Sequence, residues 1–379
     1  MTTLLPIADV RSVVSGTGTY VQVTSESGLV GVGESTFFGW PAAAAEIVDS
    51  FRPYLLGKDA FDVEAHWLHL YRALSMRGMA IVGALSAVDQ ALWDLRGQHL
   101  ELPVWQLLGG RCRRAVRAMR VVPTGTLEEV AQASADAVAE GYTALKVLLF
   151  QHEHHDMRHG AKIQDLVDRF QAVRDTVGWE IDVGIELHRN MAPGDSLVLM
   201  DEIARLRPLF VEDPIPPDSV LSFGEIAAKA RVPMAAGERN TTIWEFREYV
   251  EHGNLHFIRP DVGVAGGITH VRKICALAEA HHQGVIPHAV PSGPVATAAQ
   301  VQLGIATPNW EVQEHVPQDT PAWTDIVDEI VELRDGYLWA PDRPGLGIAL
   351  DEAGLAAHPA QPILITGSAT REDGAVAFR

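Results

Sequence analysis

Glutamates recur at a regular interval at the ends of short apolar segments in the middle of the sequence. Glu186, Glu212 and Glu238 are each separated by 26 residues. Each alone is well explained as a solvated strand end, but the common interval indicates carboxylates that converge, and these repel one another unless a cation lies between them. An all-oxygen set favours Mg²⁺, with Mn²⁺ as the alternative, and disfavours Zn²⁺, because no thiolate or imidazole triad accompanies it.

The interval continues through residues that can transfer protons. Asp261, His288 and Glu314 follow the glutamates, and Lys146 precedes them. Asp261 on a neighbouring strand would fix the tautomer of His288 and raise its basicity. For a lone histidine, a structural position in the core or on the surface is about as common as a catalytic one, but the paired Asp261 favours a general base. Lys146 would neutralise the charge left by three carboxylates and a divalent ion. The set predicts removal of a proton beside a carboxylate, with the metal stabilising the enediolate.

These side chains need elements that bring them to one place. From about residue 115, amphipathic segments alternate with eight apolar runs that we interpret as strands: VRAMRVV, YTALKVLL, EIDVGIEL, PLFVED, VPMAAGE, LHFIRPD, GVIPH and NWEVQE. Eight strands separated by helices predict an α/β fold with a closed (β/α) barrel, a modified TIM barrel, whose site lies at the carboxyl ends of the strands. An open doubly wound sheet is the alternative, but no glycine-rich dinucleotide fingerprint opens its first unit.

The segments on either side of the barrel have a different pattern. Residues 19–34 predict a hairpin, and helical periodicity runs through 41–97. The turn-rich segment after Arg334 cannot form a ninth barrel unit. We therefore predict an α+β N-terminal capping domain at 1–114, the catalytic barrel at 115–334, and a C-terminal segment at 335–379 that returns to the capping domain.

Composition excludes several classes of function. The 379 residues are 47% hydrophobic and 21% charged, which is enough to bury a large core. The formal charge of −19 would repel nucleic acid and anionic membranes, so neither is expected as a partner. Cys112 and Cys275 are too few for a disulfide framework, and neither a charged leader nor a long apolar run is present. These features predict a cytoplasmic protein.

Several stretches resemble the enolase superfamily, specifically its mandelate racemase subgroup: ALSAVDQALWDLRG, LPVWQLLGG, VEDPIPP, GERNTTIWEF, RPDVGVAGGIT, PHAVPSGP and VQEH. The resemblance implies that Glu186, Glu212 and Glu238 bind Mg²⁺ and that Asp261 with His288 forms the catalytic dyad. We also expect a homo-oligomer. By the same resemblance, Glu314 is the acid that hydrogen-bonds the substrate carboxylate, and Lys146 is the first lysine of a K-x-K motif.

Further details of the resemblance point to a reaction class. His188 matches the general acid of galactonate dehydratase and related sugar-acid dehydratases, and Arg77 in SMRGMA also resembles that group. Leu148 replaces the second lysine of K-x-K, on which racemases of the subgroup depend. Glu186 departs from the usual aspartate. Phe38 and Trp40 lie in a loop that covers the barrel mouth in the family, which makes them candidate substrate contacts along with Arg77.

The expected activity is dehydration of an aldonic or aldaric acid, a small-molecule carboxylate, to a 2-keto-3-deoxy acid. An epimerase, racemase or lactone cycloisomerase of the same superfamily is the first alternative, and a non-catalytic metal-binding relative is the second. The stretch from His152 to His159 has the composition of a metal-binding tract but no rigid spacing. We interpret it as a solvated loop.

Overall fold

The computed structural model describes residues 4–73, 75–360 and 370–377. The chain begins with an antiparallel sheet of three strands in the order β1-β2-β3. The strands are β1 (Ile7–Ser15), β2 (Gly18–Ser25) and β3 (Val30–Ser35). The predicted hairpin is β2 and β3, and its turn contains Gly28 in the left-handed region, at φ 88°. Strand β1 was not predicted.

Four helices complete the N-terminal part of the chain. They are α1 (Pro41–Leu55), α2 (Val63–Arg72), α3 (Met79–Leu100) and α4 (Val104–Leu107). Helix α3 is buried along most of its length and packs directly on β3. Gly33 permits this approach, because a Cβ at that position would lie 1.9 Å from the carbonyl oxygen of Ala87.

Eight parallel strands follow, as predicted. They are β4 (Val116–Val122), β5 (Ala144–Leu148), β6 (Asp182–Glu186), β7 (Val211–Glu212), β8 (Met234–Ala236), β9 (Phe257–Ile258), β10 (Gly284–Val285) and β11 (Gln313–His315). Neighbouring strands pair in chain order from β4 to β10, and β11 pairs with β4. A parallel bridge between Val285 and Trp310 joins β10 to the segment entering β11. The pairings thus run in a circuit, as a barrel requires.

Helices alternate with these strands. They are α5 (Leu127–Ala139), α6 (His159–Val177), α7 (Pro193–Ile203), α8 (Val220–Ala227), α9 (Ile243–His252), α10 (Gly267–Ala280) and α11 (Pro294–Ala306). A small apolar cluster that includes Met119, Phe210 and Ile286 is separate from the main core. Gly184 makes room for Phe210, whose ring atoms would lie 2.4 Å from a Cβ at that position. Side chains on and next to the strands thus fill the interior of the barrel, which is a packed core and not a pore.

The chain after the barrel contacts both preceding parts. It forms α12 (Pro321–Thr324), β12 (Glu332–Arg334), β13 (Tyr337–Trp339) and α13 (Glu352–Ala357). Strand β13 pairs antiparallel with β4, whereas Ser15 Oγ of the first sheet donates to the carbonyl of His358 at 2.7 Å. The predicted boundary after Arg334 falls inside the β12–β13 hairpin, so the division into domains stays a prediction. Among the described residues, no helix has the length and apolar character needed to cross a bilayer.

Asp94 on α3 is the junction between the first sheet and the C-terminal segment. One carboxylate oxygen accepts from the backbone N–H of Leu346 at 2.7 Å, and the other accepts from the N–H of Val32 at 2.8 Å. Gln98 Nε2 donates to that second oxygen at 2.9 Å. The carboxylate is fully buried, so its loss would leave two backbone donors without partners.

We expect Asp94→Ala to lower the free energy of unfolding by about 2–4 kcal/mol, because buried unpaired donors and a small cavity add together. Urea unfolding would measure the loss. Asp136→Ala is the matched control, because Asp136 accepts a similar bond from the glutamine four residues before it, on an exposed surface of α5. Equal stability losses in the two variants would contradict the assignment of Asp94 as a junction.

Candidate active site

Three glutamates meet where adjacent barrel strands end. Glu186 ends β6, Glu212 ends β7, and Glu238 follows β8 after one glycine. One carboxylate oxygen from each lies within 4.8 Å of those of the other two. The structure therefore brings together the three side chains that the 26-residue interval singled out.

Lys146 on β5 lies among these carboxylates. Its Nζ is 3.2 Å from Glu186, 3.0 Å from Glu212 and 2.5 Å from Glu314. Burial disfavours the ammonium, but Glu212 and Glu314 outweigh that penalty and raise the pKa of Lys146 above its ordinary value. Lys146 is thus held as a buried cation, as its predicted neutralising role requires.

Arg259 is a second buried cation, and sequence analysis missed it. Its guanidinium contacts Glu212 through Nε and Glu314 through Nη2, the latter at 2.9 Å, and is fully buried. Nη1 donates to the carbonyl of Ile286 at 3.1 Å. Strand alternation contains the relevant signal, because Arg259 stands two residues before Asp261 and so shares its face.

The charges of the cluster fit a divalent cation. A formal excess of two negative charges remains in this network, where five carboxylates face three buried cations: Glu186, Glu212, Glu238, Glu314 and Asp213 against Lys146, Arg259 and Arg189. Burial and Glu212 raise the pKa of Glu186, whereas Arg259 and Lys146 overcome burial and lower the pKa of Glu212. Of the two carboxylates, Glu186 is therefore the one that burial and repulsion drive toward the neutral form. The oxygen donors and this excess charge suit Mg²⁺ or Mn²⁺.

His288 and Asp261 form the predicted dyad beside the cluster. Nδ1 of His288 lies 2.8 Å from Asp261 Oδ2, and Nε2 lies 3.5 Å from Glu238 Oε2. Asp261 therefore fixes the tautomer in which Nδ1 carries the proton and Nε2 points to the cluster. Against the effect of burial, Glu238 and the bond to Asp261 raise the pKa of His288 to about 9.

Glu314 on β11 is more tightly held than sequence analysis indicated. Its Oε2 accepts from the N–H of Ala289 at 2.7 Å and from Arg259, and its Oε1 pairs with Lys146. Despite complete burial, Lys146 and Arg259 lower the pKa of Glu314 to about 2. The role of hydrogen-bond donor to substrate stays a prediction, and it requires a proton that this ion-paired carboxylate does not carry.

His188 stands at the mouth, two residues beyond β6. Its backbone is left-handed, with φ 53°, and its N–H donates to Glu186 Oε1 at 2.7 Å. Glu186, whose side chain is longer than the usual aspartate, thus accepts a hydrogen bond from the backbone of His188, the predicted general acid. Partial desolvation of the imidazole by its neighbours and the charge of Arg189 lower the pKa of His188. Leu148 pairs in register with Glu186, so β5 carries an apolar side chain at the level of the carboxylate cluster.

A second pair of charged residues was also missed. Arg189, at φ 68°, contacts Glu238 and lies 3.4 Å from Asp213 Oδ2. Its own backbone N–H donates to the carbonyl of Asp213 at 2.7 Å. Two consecutive left-handed residues, His188 and Arg189, therefore turn the chain back across the ends of β7 and β8.

The predicted substrate contacts lie outside the buried cluster. Phe38 and Trp40 are 57% and 56% exposed, on the loop that leaves β3. The guanidinium of Arg77 lies over the ring of Tyr71, 4.5 Å from its centroid, and no hydrogen bond or ion pair joins it to the cluster within the described part of the chain. The structure does not bring Arg77 to the cluster, and contact of all three with substrate stays a prediction.

The prediction of a solvated loop at residues 152–159 is wrong for one histidine. His154 is fully buried, and its Nε2 lies 2.8 Å from Asp165 Oδ2. His159 begins α6 and lies 2.9 Å from Asp195 Oδ1. Pairing with separate aspartates gives these histidines structural roles, and they do not converge on one ion.

Two family descriptions match the chain. "Enolase C-terminal domain-like" covers residues 128–354, and "Mandelate racemase / muconate lactonizing enzyme, N-terminal domain" covers residues 6–109. This chain belongs to the enolase superfamily. The predicted mandelate racemase subgroup is confirmed.

Named relatives of this enolase-superfamily chain include dehydratases. It is 32% identical over 340 residues to D-galactonate dehydratase from Variovorax paradoxus, covering 88% of each chain. It is 29% identical over 385 residues to a D-mannonate dehydratase from Caulobacter vibrioides, covering 94% of this chain and 95% of that one.

Solved structures confirm the predicted fold. An enolase from Agrobacterium radiobacter, provisionally assigned as a galactarate dehydratase and holding bound Na and L-malate, superposes with a TM-score of 0.93. The two share 28% identity, and the alignment covers 99% of this chain and 100% of that one. An enolase from Pantoea ananatis with bound D-gluconate and Mg has a TM-score of 0.91 at 23% identity, with 99% and 100% covered, and shows the fold alone.

We expect Glu212→Gln to weaken Mg²⁺ binding by more than the roughly 10- to 100-fold that outer-shell changes cost, because a neutral amide removes one ligand charge. Turnover should be lost with it. Calorimetric titration with Mg²⁺ and with Mn²⁺ measures the affinity. Glu202→Gln, an exposed change on α7, is the control for loss of one negative charge. Unchanged affinity in Glu212→Gln would rule out the three-glutamate site.

Proposed function

We propose that this protein is a Mg²⁺-dependent dehydratase of a sugar acid, an aldonate or an aldarate. The observation that carries the proposal is the position of the His288–Asp261 pair, whose Nε2 faces the carboxylate cluster at 3.5 Å from Glu238. A base at that position can reach a carbon whose carboxylate is held at the cluster. The named dehydratases among its relatives support the reaction class.

Glu186, Glu212 and Glu238 would hold the ion, since their oxygens converge within 4.8 Å. When bound, Mg²⁺ supplies Lewis-acid stabilisation for negative charge that develops on the substrate carboxylate. Lys146 places a further positive charge beside that carboxylate. Together with Arg259 and a bound divalent ion, it would bring the formal charge of the cluster to zero, so that the cluster no longer repels a substrate carboxylate, although the whole protein carries a formal charge of −19.

His288 would begin the reaction. Nε2 removes the C2 proton, and the electron pair of the C–H bond moves toward the carboxylate to give an enediolate. Asp261 accepts the Nδ1 proton in a hydrogen bond and so stabilises the imidazolium that forms. Against burial, Glu238 and Asp261 raise the pKa of His288 to about 9, so the neutral form that removes the proton gains population as the pH rises toward that value. A divalent ion bound to Glu238 would lower this pKa, because it would offset the charge that raises it.

His188 would complete the reaction. Its imidazole stands at the exposed side of the site, where the protonated form can donate a proton to the C3 hydroxyl. Because the pKa of His188 is lowered, this acid form is lost as the pH rises through values below the ordinary histidine pKa. The C3–O bond breaks, water leaves, and the electron pair returns to form the C2–C3 double bond of an enol. The enol then becomes a 2-keto-3-deoxy acid, so substrate equals product plus one water.

Leu148 distinguishes this proposal from racemisation or epimerisation. A reaction that returns a proton to the opposite face of C2 needs a second base there, and the position two residues after Lys146 carries an apolar side chain. Elimination needs an acid for the hydroxyl instead, and His188 supplies one.

The direct test is a screen of aldonic and aldaric acids with Mg²⁺, beginning with D-galactonate and D-mannonate. Formation of a 2-keto-3-deoxy acid in amounts equal to the substrate consumed is the expected result. Conversion of substrate to an epimer or lactone without a keto acid would favour the alternative activities. Metal binding without turnover or exchange of any α-proton would indicate a non-catalytic relative.

The two histidines should separate the two half-reactions. In His288→Asn, both dehydration and exchange of the C2 proton with solvent deuterium should be lost, because no enediolate forms. In His188→Asn, product formation should be lost while some exchange survives, provided that His288 exchanges its proton with solvent. Proton NMR of the substrate in deuterated buffer with Mg²⁺ measures both.

The reverse pattern, with hydrogen exchange surviving in His288→Asn and lost in His188→Asn, would mean that His188 is the base and His288 is the acid. His252→Asn is a suitable control, since His252 is an exposed residue at the end of α9. It should leave exchange and product formation unchanged.

A further inference from the structure

The end of β3 extends from the first sheet to the catalytic dyad. Thr36 is the residue immediately after β3, and its Oγ1 donates to Asp261 Oδ1 at 2.7 Å. The threonine side chain is almost fully buried, at 7% exposed. A hydroxyl from the N-terminal part of the chain therefore bonds directly to the carboxylate that orients the proposed base.

The bonds to Asp261 define the rotation of its carboxylate. Oδ1 accepts from Thr36 Oγ1 and from the backbone N–H of Gly263 at 2.8 Å, whereas Oδ2 contacts His288 Nδ1 at 2.8 Å. With partners on both oxygens, the plane of the carboxylate is set, and the plane in turn sets the direction of the imidazole ring. Loss of the Thr36 hydroxyl would leave Oδ1 with one donor, on the residue's own loop.

The contact between Thr36 and Asp261 is possible because residue 263 is glycine and has no side chain. A Cβ at that position would lie 2.4 Å from Thr36 Oγ1 and 2.7 Å from its backbone nitrogen. Glycine at 263 therefore lets the two segments meet at hydrogen-bonding distance. Any larger residue would force Thr36 away from the carboxylate.

Glu34 anchors the same strand end to the barrel. Its carboxylate accepts from the N–H groups of Gly293 at 2.7 Å and Ala296 at 2.9 Å, at the start of α11. Gln300, in the middle of α11, donates through Nε2 to the carbonyl of His288 at 2.7 Å. One strand end is thus tied both to Asp261 and to the helix that holds the backbone of His288.

We propose that Thr36 is a positioning residue for proton abstraction, acting through Asp261 on His288. The inference rests on the proposed function for its kinetic consequence, but the geometry of the dyad is independent of it. The N-terminal part of the chain then contributes to the first chemical step in addition to covering the barrel mouth.

The test compares three variants. Thr36→Val keeps the shape of the side chain and removes the hydroxyl, whereas Thr36→Ser keeps the hydroxyl. Thr19→Val is the matched control: Thr19 is also buried in the first sheet, and its hydroxyl donates to the carbonyl of Pro41 at 2.7 Å, without contact to the dyad. Thermal unfolding of all three variants measures the stability that each hydroxyl supplies.

With a sugar acid that the wild type dehydrates, kcat of Thr36→Val should fall by about 10- to 100-fold, as expected for a misaligned catalytic group. KM should change little, and exchange of the C2 proton should slow by the same factor as kcat. Thr36→Ser should recover most of the rate. Thr19→Val should keep the wild-type rate even if its stability falls as much as that of Thr36→Val.

A second measurement needs no substrate. In ¹⁵N–¹H NMR, the Nδ1–H signal of His288, assigned by its loss in His288→Asn, should shift or broaden in Thr36→Val and stay in place in Thr36→Ser and Thr19→Val. An unshifted signal in Thr36→Val, or equal rate losses in Thr36→Val and Thr19→Val, would overturn the inference. If the wild type dehydrates no sugar acid, the proposed function fails, and the NMR comparison alone decides the role of Thr36.

Discussion

Mutual repulsion among buried carboxylates is the constraint on which the rest of the site depends. Lys146 and Arg259 keep Glu212 and Glu314 ionised by lowering their pKa values, whereas the pKa of Glu186 stays raised. The two cations are themselves buried and need the carboxylates in return. The network as a whole carries a formal excess of two negative charges. A divalent ion bound by the glutamate oxygens would remove this excess, so the repulsion that disfavours the arrangement by itself would also favour binding of a hard dication.

Barrel strands alone do not complete the site. Asp261 receives a bond from Thr36, and Trp93 on α3 donates through its indole N–H to Thr269 of α10 at 2.8 Å. Asp89, also on α3, accepts from the backbone N–H of Thr269 at 2.9 Å. These bonds are buried, so sliding of α3 over the barrel would leave polar groups unpaired. The dyad is therefore positioned by an interface between two parts of the chain.

Backbone conformation accounts for the asymmetry between the two histidines. His288 follows β10 and lies deep beside Asp261, whereas His188 is placed at the mouth by a left-handed turn that it forms with Arg189. The turn costs conformational energy, and its contacts to Glu186, Glu238 and Asp213 offset that cost. The proposed base in the interior and the proposed acid near solvent suit an elimination, in which the departing group must leave as water.

The sequence by itself was enough to predict the barrel, the oxygen-ligand cluster and the pairing of Asp261 with His288. These predictions used the regular interval of the glutamates, the alternation within each strand and the number of strands, all of which are periodic patterns that can be seen along the chain. Arg259, Arg189 and Thr36 were not found in this way. Their roles depend on which distant groups they meet, and a single arginine or threonine has the same local pattern on a surface as in a buried ion pair. The burial of His154 beside Asp165 was missed for the same reason. Only the packing of separate segments decides which polar side chains lose their water, and that loss determines which of them become partners.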